Sequence, residues 1–205
     1  VDVYTGGWKA LAIESDDVVV TRSKLLAGGA LENNHGTDGI EFVDGRLFLY
    51  QSDARGGYGD SVGSGSFGGY DGGAGIGLES SLLFASESEL EGGSGASNFQ
   101  GLTCGAMTYG GDALSMRDGH CRTFLRGVDL IPGIGNLPST DDYGNVCPPG
   151  QPGRKVKTSG STYIELPRDP ARLEVTPFVE LFDGGSPIVH VIVEGLPGEV
   201  PRLLI

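Results

Sequence analysis

The first pattern along the chain is a short alternation of apolar and polar residues, which is typical of strands that bury one face. Residues 40–43 and 46–50 both show it, and Asp44-Gly45 separates them. Asp-Gly between two such runs is a strong β-hairpin signal, because a type I′ turn needs positive φ at both central residues. The two-residue turn pairs position 42 with 47 and 40 with 49. It therefore predicts one apolar face made of Ile40, Phe42, Leu47 and Leu49.

The same turn chemistry predicts two more hairpins. One joins 113–117 to 120–125 through Asp118-Gly119, and the other joins 176–182 to 186–194 through 183–185. Pro187 has no N–H donor, so its strand is expected to start at a sheet edge. Further extended segments are predicted at 3–13, 18–26, 78–85, 162–166 and 172–175.

Helical periodicity is missing from the sequence. No long segment places apolar residues at i, i+3, i+4 and i+7 without an interrupting glycine or proline. The predicted fold class is therefore all-β: an antiparallel β-sandwich or jelly-roll-like double sheet with long Gly-rich loops and little helix. We expect 1–205 to form a single β domain, with a Gly-rich insertion at 56–77 and a Pro-rich extended arm at 147–160.

Glycine composition raises a question about the insertion. Glycine supplies 37 of the 205 residues, and 11 of these fall within 56–77. Ordering this segment costs more free energy than its few apolar side chains return on burial. A neighbouring subunit, a bound cation or backbone packed on backbone would have to order it. Subunit contacts are the favoured interpretation, with Tyr58, Phe67 and Tyr70 at the interface.

Charge narrows the choice of partners. The chain carries 27 acidic and 14 basic residues, a formal net charge of −13. Its summed field repels a nucleic-acid phosphate backbone, so no nucleic-acid partner is predicted. The longest apolar run, 188–193, is far shorter than a bilayer requires, so no membrane insertion is expected.

One short motif suggests a cation. The run from Gly56 to Asp60 begins like the calcium-binding nonapeptide G-G-x-G-x-D, in which turn carbonyls and an aspartate bind the ion. Ser61 stands where the aspartate is required, so a stacked calcium roll is not predicted. A looser Ca²⁺ site is the remaining option, since no base lies between Arg55 and Arg117; its candidate ligands are Asp53, Asp60 and Asp71. No other cofactor is predicted.

Serine and cysteine chemistry is incomplete. Ser61 lies in a G-x-S-x-G pattern, but the glycine-serine run that follows it cannot start the helix of a nucleophile elbow. Cys104, Cys121 and Cys147 lack the paired C-x2-C spacing of a zinc site. A buried thiol or a Cys104–Cys121 disulfide is the expected arrangement.

One basic cluster stands out in this acidic chain. Arg154, Lys155 and Lys157 follow the proline-rich run 147–153, which should be extended and stiff. The cluster either contacts an acidic neighbour, where opposite charges would set orientation, or belongs to a solvated connector within the domain.

Each enzymatic pattern lacks a partner residue, so the predicted function is non-enzymatic. We expect a structural or assembly protein, a β-rich subunit of a virion (phage capsid, decoration or tail component) or of another extracellular assembly. Its expected partners are other copies of itself or other structural subunits. The predicted interface residues are Tyr58, Phe67, Tyr70, Arg154, Lys155 and Lys157.

Two alternatives stay open, both of them secreted proteins. A carbohydrate-binding or adhesive module would stack sugars on amphipathic rings; the candidates are Trp8, Tyr58, Tyr70, Tyr109 and Tyr143. A hydrolase would use Ser61 or paired acids such as Asp141 and Asp142. The predicted location is extracellular or virion.

Overall fold

The computed structural model describes residues 2–5, 10–14, 17–29, 35–60, 70–96, 107–141 and 143–166, together with 173–174 and 192–193. The chain divides into two compact units, Val1–Leu166 and Pro167–Ile205.

The first unit winds through three parallel sheets, which we call A, B and C. Each turn of the chain, called a coil here, places one strand in each sheet and stacks in register on the coil before it. Coil 1 holds β1 Asp2–Thr5, β2 Leu11–Glu14 and β3 Asp17–Thr21, and coil 2 holds β4 Lys24–Ala27, β5 Ile40–Val43 and β6 Arg46–Tyr50. Coil 3 holds β7 Asp53–Arg55, β8 Ile76–Glu79 and β9 Leu82–Ser86, and coil 4 holds β10 Glu89–Glu91, β11 Leu114–Met116 and β12 Arg122–Arg126.

Coil 5 follows the same path with one insertion. It runs through β13 Asp129–Ile131, a short antiparallel pair formed by β14 Ser139–Thr140 and β15 Val146–Cys147, then β16 Val156–Lys157 and β17 Thr162–Leu166. The segment predicted as an extended arm therefore contains strands. Within it, backbone groups of residues 150–155 form hydrogen bonds with other segments of the solenoid. The described part of this unit is a parallel β-solenoid.

The predicted antiparallel sandwich or jelly-roll-like double sheet is wrong, because sheets A, B and C are parallel throughout. The Asp44-Gly45 turn shows why. Asp44 has positive φ (51°) but Gly45 does not, so the chain turns a corner from sheet B into sheet C instead of reversing. The Asp44 N–H donates to the Glu79 carbonyl one coil further on (3.1 Å). The Asp118-Gly119 turn likewise joins sheet B to sheet C rather than forming a hairpin.

Two predicted long strands are broken by single left-handed residues. Arg22 (φ 48°) separates β3 from β4 within the predicted segment 18–26, and Ser80 (φ 48°) separates β8 from β9 within 78–85. Neither residue is glycine, so the sequence carries no mark of the corner. The predicted segment 162–166, in contrast, coincides with β17.

The core is a stack of inward side chains between the three sheets. Ile40, Ile76 and Leu114 lie above one another on sheet B, and Leu47 and Leu83 do so on sheet C. All of these side chains are fully buried. The four residues predicted to share an apolar face do enter one core, although from two different sheets.

A serine ladder closes the corner between sheets C and A. The residue that turns this corner has positive φ in each of three coils: Arg22, Gln51 and Glu87. The serine that follows it lies inside the corner, where the Ser23 N–H donates to Ser52 Oγ and the Ser52 N–H to Ser88 Oγ (3.1 Å each). These bonds satisfy backbone donors that would otherwise be buried without an acceptor.

The loops between sheets A and B pack backbone on backbone. Their amides form one continuous ladder, in which each N–H donates to the carbonyl of the preceding member at 2.7–2.9 Å. This glycine ladder consists of Thr37, Gly57, Gly73, Gly93, Gly111, Gly133 and Gly153. A Cβ on Gly73, Gly93 or Gly111 would overlap a backbone carbonyl of the ladder. Backbone packing therefore orders the described flanks of segment 56–77. Glycine is required at these ladder positions because a side chain would not fit between the packed backbones.

The second unit has two described strands, β18 Leu173–Glu174 and β19 Ile192–Val193, which pair antiparallel. The rest of the hairpin predicted over 176–194 lies outside the described residues. The described ranges contain strands and no helix, so no helix in them is long and apolar enough to cross a membrane.

Candidate functional site

A polar groove of about 850 Å³ crosses coils 2 to 5 of the solenoid. Its walls are the glycine-ladder segments that lead into sheet B and the outward side chains of that sheet. Adjacent strands lie about 4.8 Å apart, so the groove follows the stacking direction for about 14 Å. Its volume lies within the usual range for ligand sites in proteins.

Three aspartates build the groove by connecting successive coils. The Ala74 N–H donates to Asp38 Oδ1 (3.0 Å), the Tyr109 N–H to Asp71 Oδ1 (2.7 Å) and the Arg154 N–H to Asp112 Oδ1 (2.8 Å). In each case a carboxylate of one coil accepts from the backbone of the next. Charge-assisted bonds of this kind are stronger than neutral ones, so the aspartates fix the spacing of the groove wall.

An ion-pair bridge spans two coil steps beside the groove. Arg117 of coil 4 contacts Asp38 through Nη2 and Glu41 through Nη1, the latter at 2.8 Å. Gly77 of coil 3 lies between Glu41 and Ser115 in the sheet B register. A Cβ there would overlap the Asp38 carboxylate and approach Arg117 Nη2 to 2.9 Å. Glycine at position 77 thus leaves space for the arginine to reach across coil 3.

An aromatic wall lies at the coil 2 to 4 side. The His35 and Tyr70 rings meet edge to face with centroids 5.2 Å apart, and His35 Nδ1 accepts the Asp71 N–H (3.2 Å). Tyr109 lines the groove with 47% of its surface exposed. Two of the aromatic residues predicted for sugar stacking, Tyr70 and Tyr109, therefore lie at or next to the groove.

The coil 5 end of the groove is cationic. Arg154 Nε pairs with Asp112 Oδ1 (3.5 Å), whereas Lys157 has no hydrogen bond or ion pair to any described residue. Lys157 pairs with Ser115 across β16 and β11, and the Ser115 hydroxyl is also without a partner among those residues. Two of the three predicted basic interface residues thus line the groove, and Lys155 does not.

A second polar cluster lies at the corner between β11 and β12. Asp118 Oδ2 accepts from Ser80 Oγ (2.6 Å), and Asp118 Oδ1 accepts from Cys121 Sγ (3.0 Å). These bonds, that from Ser80 first, hold the pKa of Asp118 far below its usual value. Burial, followed by the nearby Asp118 carboxylate, raises the pKa of the Cys121 thiol. A thiol in this state is a poor nucleophile and a poor metal ligand.

The predicted disulfide between Cys104 and Cys121 is not formed, because Cys121 is a free and buried thiol. The corner packs it inside the solenoid, where it contacts Asp118 instead. Cys147 is disulfide-bonded, and Cys104 lies outside the described residues.

The candidate Ca²⁺ ligands occupy three separate settings. Asp53 lies on the outer face of sheet A and pairs with Lys24 (3.5 Å), Asp60 accepts the Tyr70 N–H through its backbone carbonyl (3.3 Å), and Asp71 belongs to the groove wall. Within the described ranges no three histidine, cysteine or acidic residues are grouped to hold a metal ion.

The other predicted residues are dispersed. Tyr58 accepts from Arg55 Nη2 (2.7 Å), and the Arg55 guanidinium lies 5.3 Å from its ring centroid. Asp141 accepts from Asn145 and Tyr143 in the loop between β14 and β15. The remaining predicted residues lie outside the described part: Trp8, Ser61, Phe67 and Asp142.

Sequence reasoning missed Asp38, Asp112 and Arg117, which build the groove. A detectable signal existed, because Asp38 and Asp112 each lie two residues before a matching run, Ile40-Glu41-Phe42 and Leu114-Ser115-Met116. These runs are one internal repeat with loops of unequal length. Comparison of the chain with known protein families, with curated proteins and with solved structures found no match.

Proposed function

We propose that this chain is a non-enzymatic carbohydrate-binding module that acts outside the cell, and that the groove across coils 2 to 5 is its binding site. The observation that carries the proposal is the groove itself: an elongated site rich in hydrogen-bonding groups and lined by an exposed aromatic ring. It follows the stacking direction of the coils, as extended binding surfaces of solenoids do.

The groove chemistry favours a sugar over a peptide. Sugar rings present hydroxyls at their edges and apolar C–H groups on their faces, and a tyrosine ring offers a matching apolar face with a polar tip. Tyr109 provides such a ring, and Gln151 and Ser115 provide polar groups in the same groove. Peptide-binding grooves rely on deep apolar pockets for anchor side chains, whereas apolar side chains are few here.

The use of the carboxylates supports binding without turnover. Glycoside hydrolysis requires one carboxyl group as acid and a second as base or nucleophile. Asp38, Asp71 and Asp112 each accept a backbone N–H of the next coil, and Asp38 and Asp112 also pair with arginines. Their positions therefore serve the stacking of the coils, which supports a binding role.

A glycan array with matched variants tests the proposal. We expect the wild type to bind an extended oligosaccharide and Tyr109→Ala to weaken binding roughly tenfold, which corresponds to about 1.4 kcal/mol. Tyr143→Ala is the control, because Tyr143 is exposed in the β14–β15 loop and does not line the groove. Absence of binding to every glycan, or equal losses in the two variants, would overturn the proposal.

A second candidate is assembly with further copies of the chain, as in a virion or another extracellular assembly. The outer face of sheet C carries a stack of Phe48, Phe84 and Phe124, with ring centroids 5.2 and 4.9 Å apart. Val19 and Ile164 extend this stack at either end and are 68% and 49% exposed. Sedimentation tests this candidate: concentration-dependent association that Ile164→Glu abolishes supports it, and a monomer at all concentrations contradicts it.

A further inference from the structure

We infer that the groove selects an anionic oligosaccharide, whose carboxylate or sulfate group binds at Lys157 at the coil 5 end. The inference rests on the proposed carbohydrate-binding function and specifies the class of sugar.

Most charged groups that line the groove are paired within it. Asp38 of coil 2 pairs with Arg117 of coil 4, and Asp112 of coil 4 pairs with Arg154 of coil 5. An extended ligand that crosses all four coils therefore meets, at the coil 5 end, Lys157, a cation without a carboxylate partner among the described residues. Such an arrangement orients a ligand that bears a negative charge near one end.

Among the described residues that line the groove, Lys157 is the cation that is available to a ligand. Arg117 and Arg154 also line the groove, but each already has a carboxylate partner there. Lys157 and the neighbouring Ser115 hydroxyl have no partner among the described residues. An ammonium group with three donors beside a free hydroxyl matches the acceptor oxygens of a carboxylate or sulfate.

The recognition must be local, because the whole chain carries a net charge of −13. Its long-range field does not attract anions, so a preference for an acidic sugar has to come from contact within the groove. Lys155 provides the matched comparison: it lies two residues away and carries the same charge, is exposed, and does not line the groove.

Isothermal titration with two ligands of the same sugar backbone and different charge tests the inference. The probes are an oligogalacturonate and its fully methyl-esterified form, which share a sugar backbone and differ in charge. We expect the acidic form to bind about five- to tenfold more tightly, as a charge-assisted contact at a partly exposed site provides. We expect Lys157→Ala to remove that preference and Lys155→Ala to retain it. A sulfated oligosaccharide in a parallel titration shows whether the site takes sulfate as well as carboxylate.

Each other outcome overturns the inference in a distinguishable way. Equal binding of both forms by the wild type, or an unchanged preference in Lys157→Ala, refutes the anion site and leaves the carbohydrate-binding function standing. If no sugar binds, both proposals fail. If an oligoglutamate peptide binds as tightly as the oligogalacturonate and with the same dependence on Lys157, the groove recognises negative charge without regard to the sugar, and the assignment to sugars is wrong.

Discussion

Replacing Gly111 by alanine tests whether the glycine ladder holds the coils together. The new Cβ would lie 2.5 Å from the carbonyl carbon of Gly73 and closer still to its oxygen, so the two backbones must separate. That movement breaks bonds that join coils 3 and 4 at this point, from the Gly93 N–H to Gly73 (2.8 Å) and from the Gly75 N–H to Asp112 (3.0 Å). Each broken bond costs about 1–3 kcal/mol when its groups stay buried. We expect a total loss of about 2–6 kcal/mol in the free energy of unfolding.

The assay is denaturation by guanidinium chloride, followed by circular dichroism, for the wild type and two variants. Gly29→Ala is the control, because a Cβ at Gly29 meets nothing within 4 Å and its φ is not positive. That variant should be neutral or more stable by about 0.4–1 kcal/mol, through a lower entropy of the unfolded chain. If Gly111→Ala is as stable as Gly29→Ala, the close approach of the ladder backbones is refuted.

Three further substitutions have defined expected effects. Arg117→Ala should lower the free energy of unfolding in denaturant by about 1–3 kcal/mol, because the Asp38 side chain is only 8% exposed and loses a cationic partner. Arg122→Ala is the control and should be nearly neutral, because the Arg122 side chain has no partner among the described residues. Glu89→Gln should stabilise by about 0.2–1 kcal/mol, and less at high salt, since Glu89 stacks between two other acids of sheet A. Asp118 has a lowered pKa in the folded protein, so the stability that it contributes is complete above the pKa of the unfolded chain, about 3.9, and is lost as the pH falls below that value. An Asp118→Asn variant should therefore lose less stability than the wild type on acid titration.

Most strands of sheets B and C and several core residues were accessible from the sequence, but β7, β10 and β13 of sheet A and the direction of the chain at each turn were not. Ile40, Phe42, Leu47 and Leu49 alternate with polar residues, and all four are buried. The alternation of apolar and polar residues indicates which side chains point inward, but it is the same for a hairpin and for one coil of a solenoid. The Asp44 corner has positive φ at one residue where a type I′ hairpin needs two, a difference that the letters Asp-Gly do not encode.

The glycine content was visible, but its purpose depended on contacts between distant segments. The ladder alternates between glycines that follow strands of sheet A and glycines that precede strands of sheet B. The first set is Gly57, Gly93 and Gly133, and the second is Gly73, Gly111 and Gly153. Their spacing along the chain is irregular because the loops differ in length. Only the stacking of coils shows that a side chain at these positions would overlap a neighbouring backbone.

For the candidate site, the binding residue types were visible in the sequence, but their position in one groove was not. Tyr70, Tyr109, Arg154 and Lys157 were recognisable by residue type as binding groups. What brings Tyr109, Arg154 and Lys157 into one groove is the in-register stacking of coils 4 and 5, which a search for hairpins does not anticipate. A search for internal repeats before hairpins would have aligned Ile40, Ile76 and Leu114 and revealed the solenoid.

The position of a bound oligosaccharide on the chain shows whether the groove is the binding site. Chemical-shift mapping of the isotopically labelled protein during titration with an oligogalacturonate locates the ligand residue by residue. We expect shifts at amides along the groove, from Gly36 through Gly72 and Gly110 to Gly153, and none at Phe48 on the outer face of sheet C. Shifts confined to sheet C or to the β14–β15 loop, or no shifts with any sugar, would contradict it.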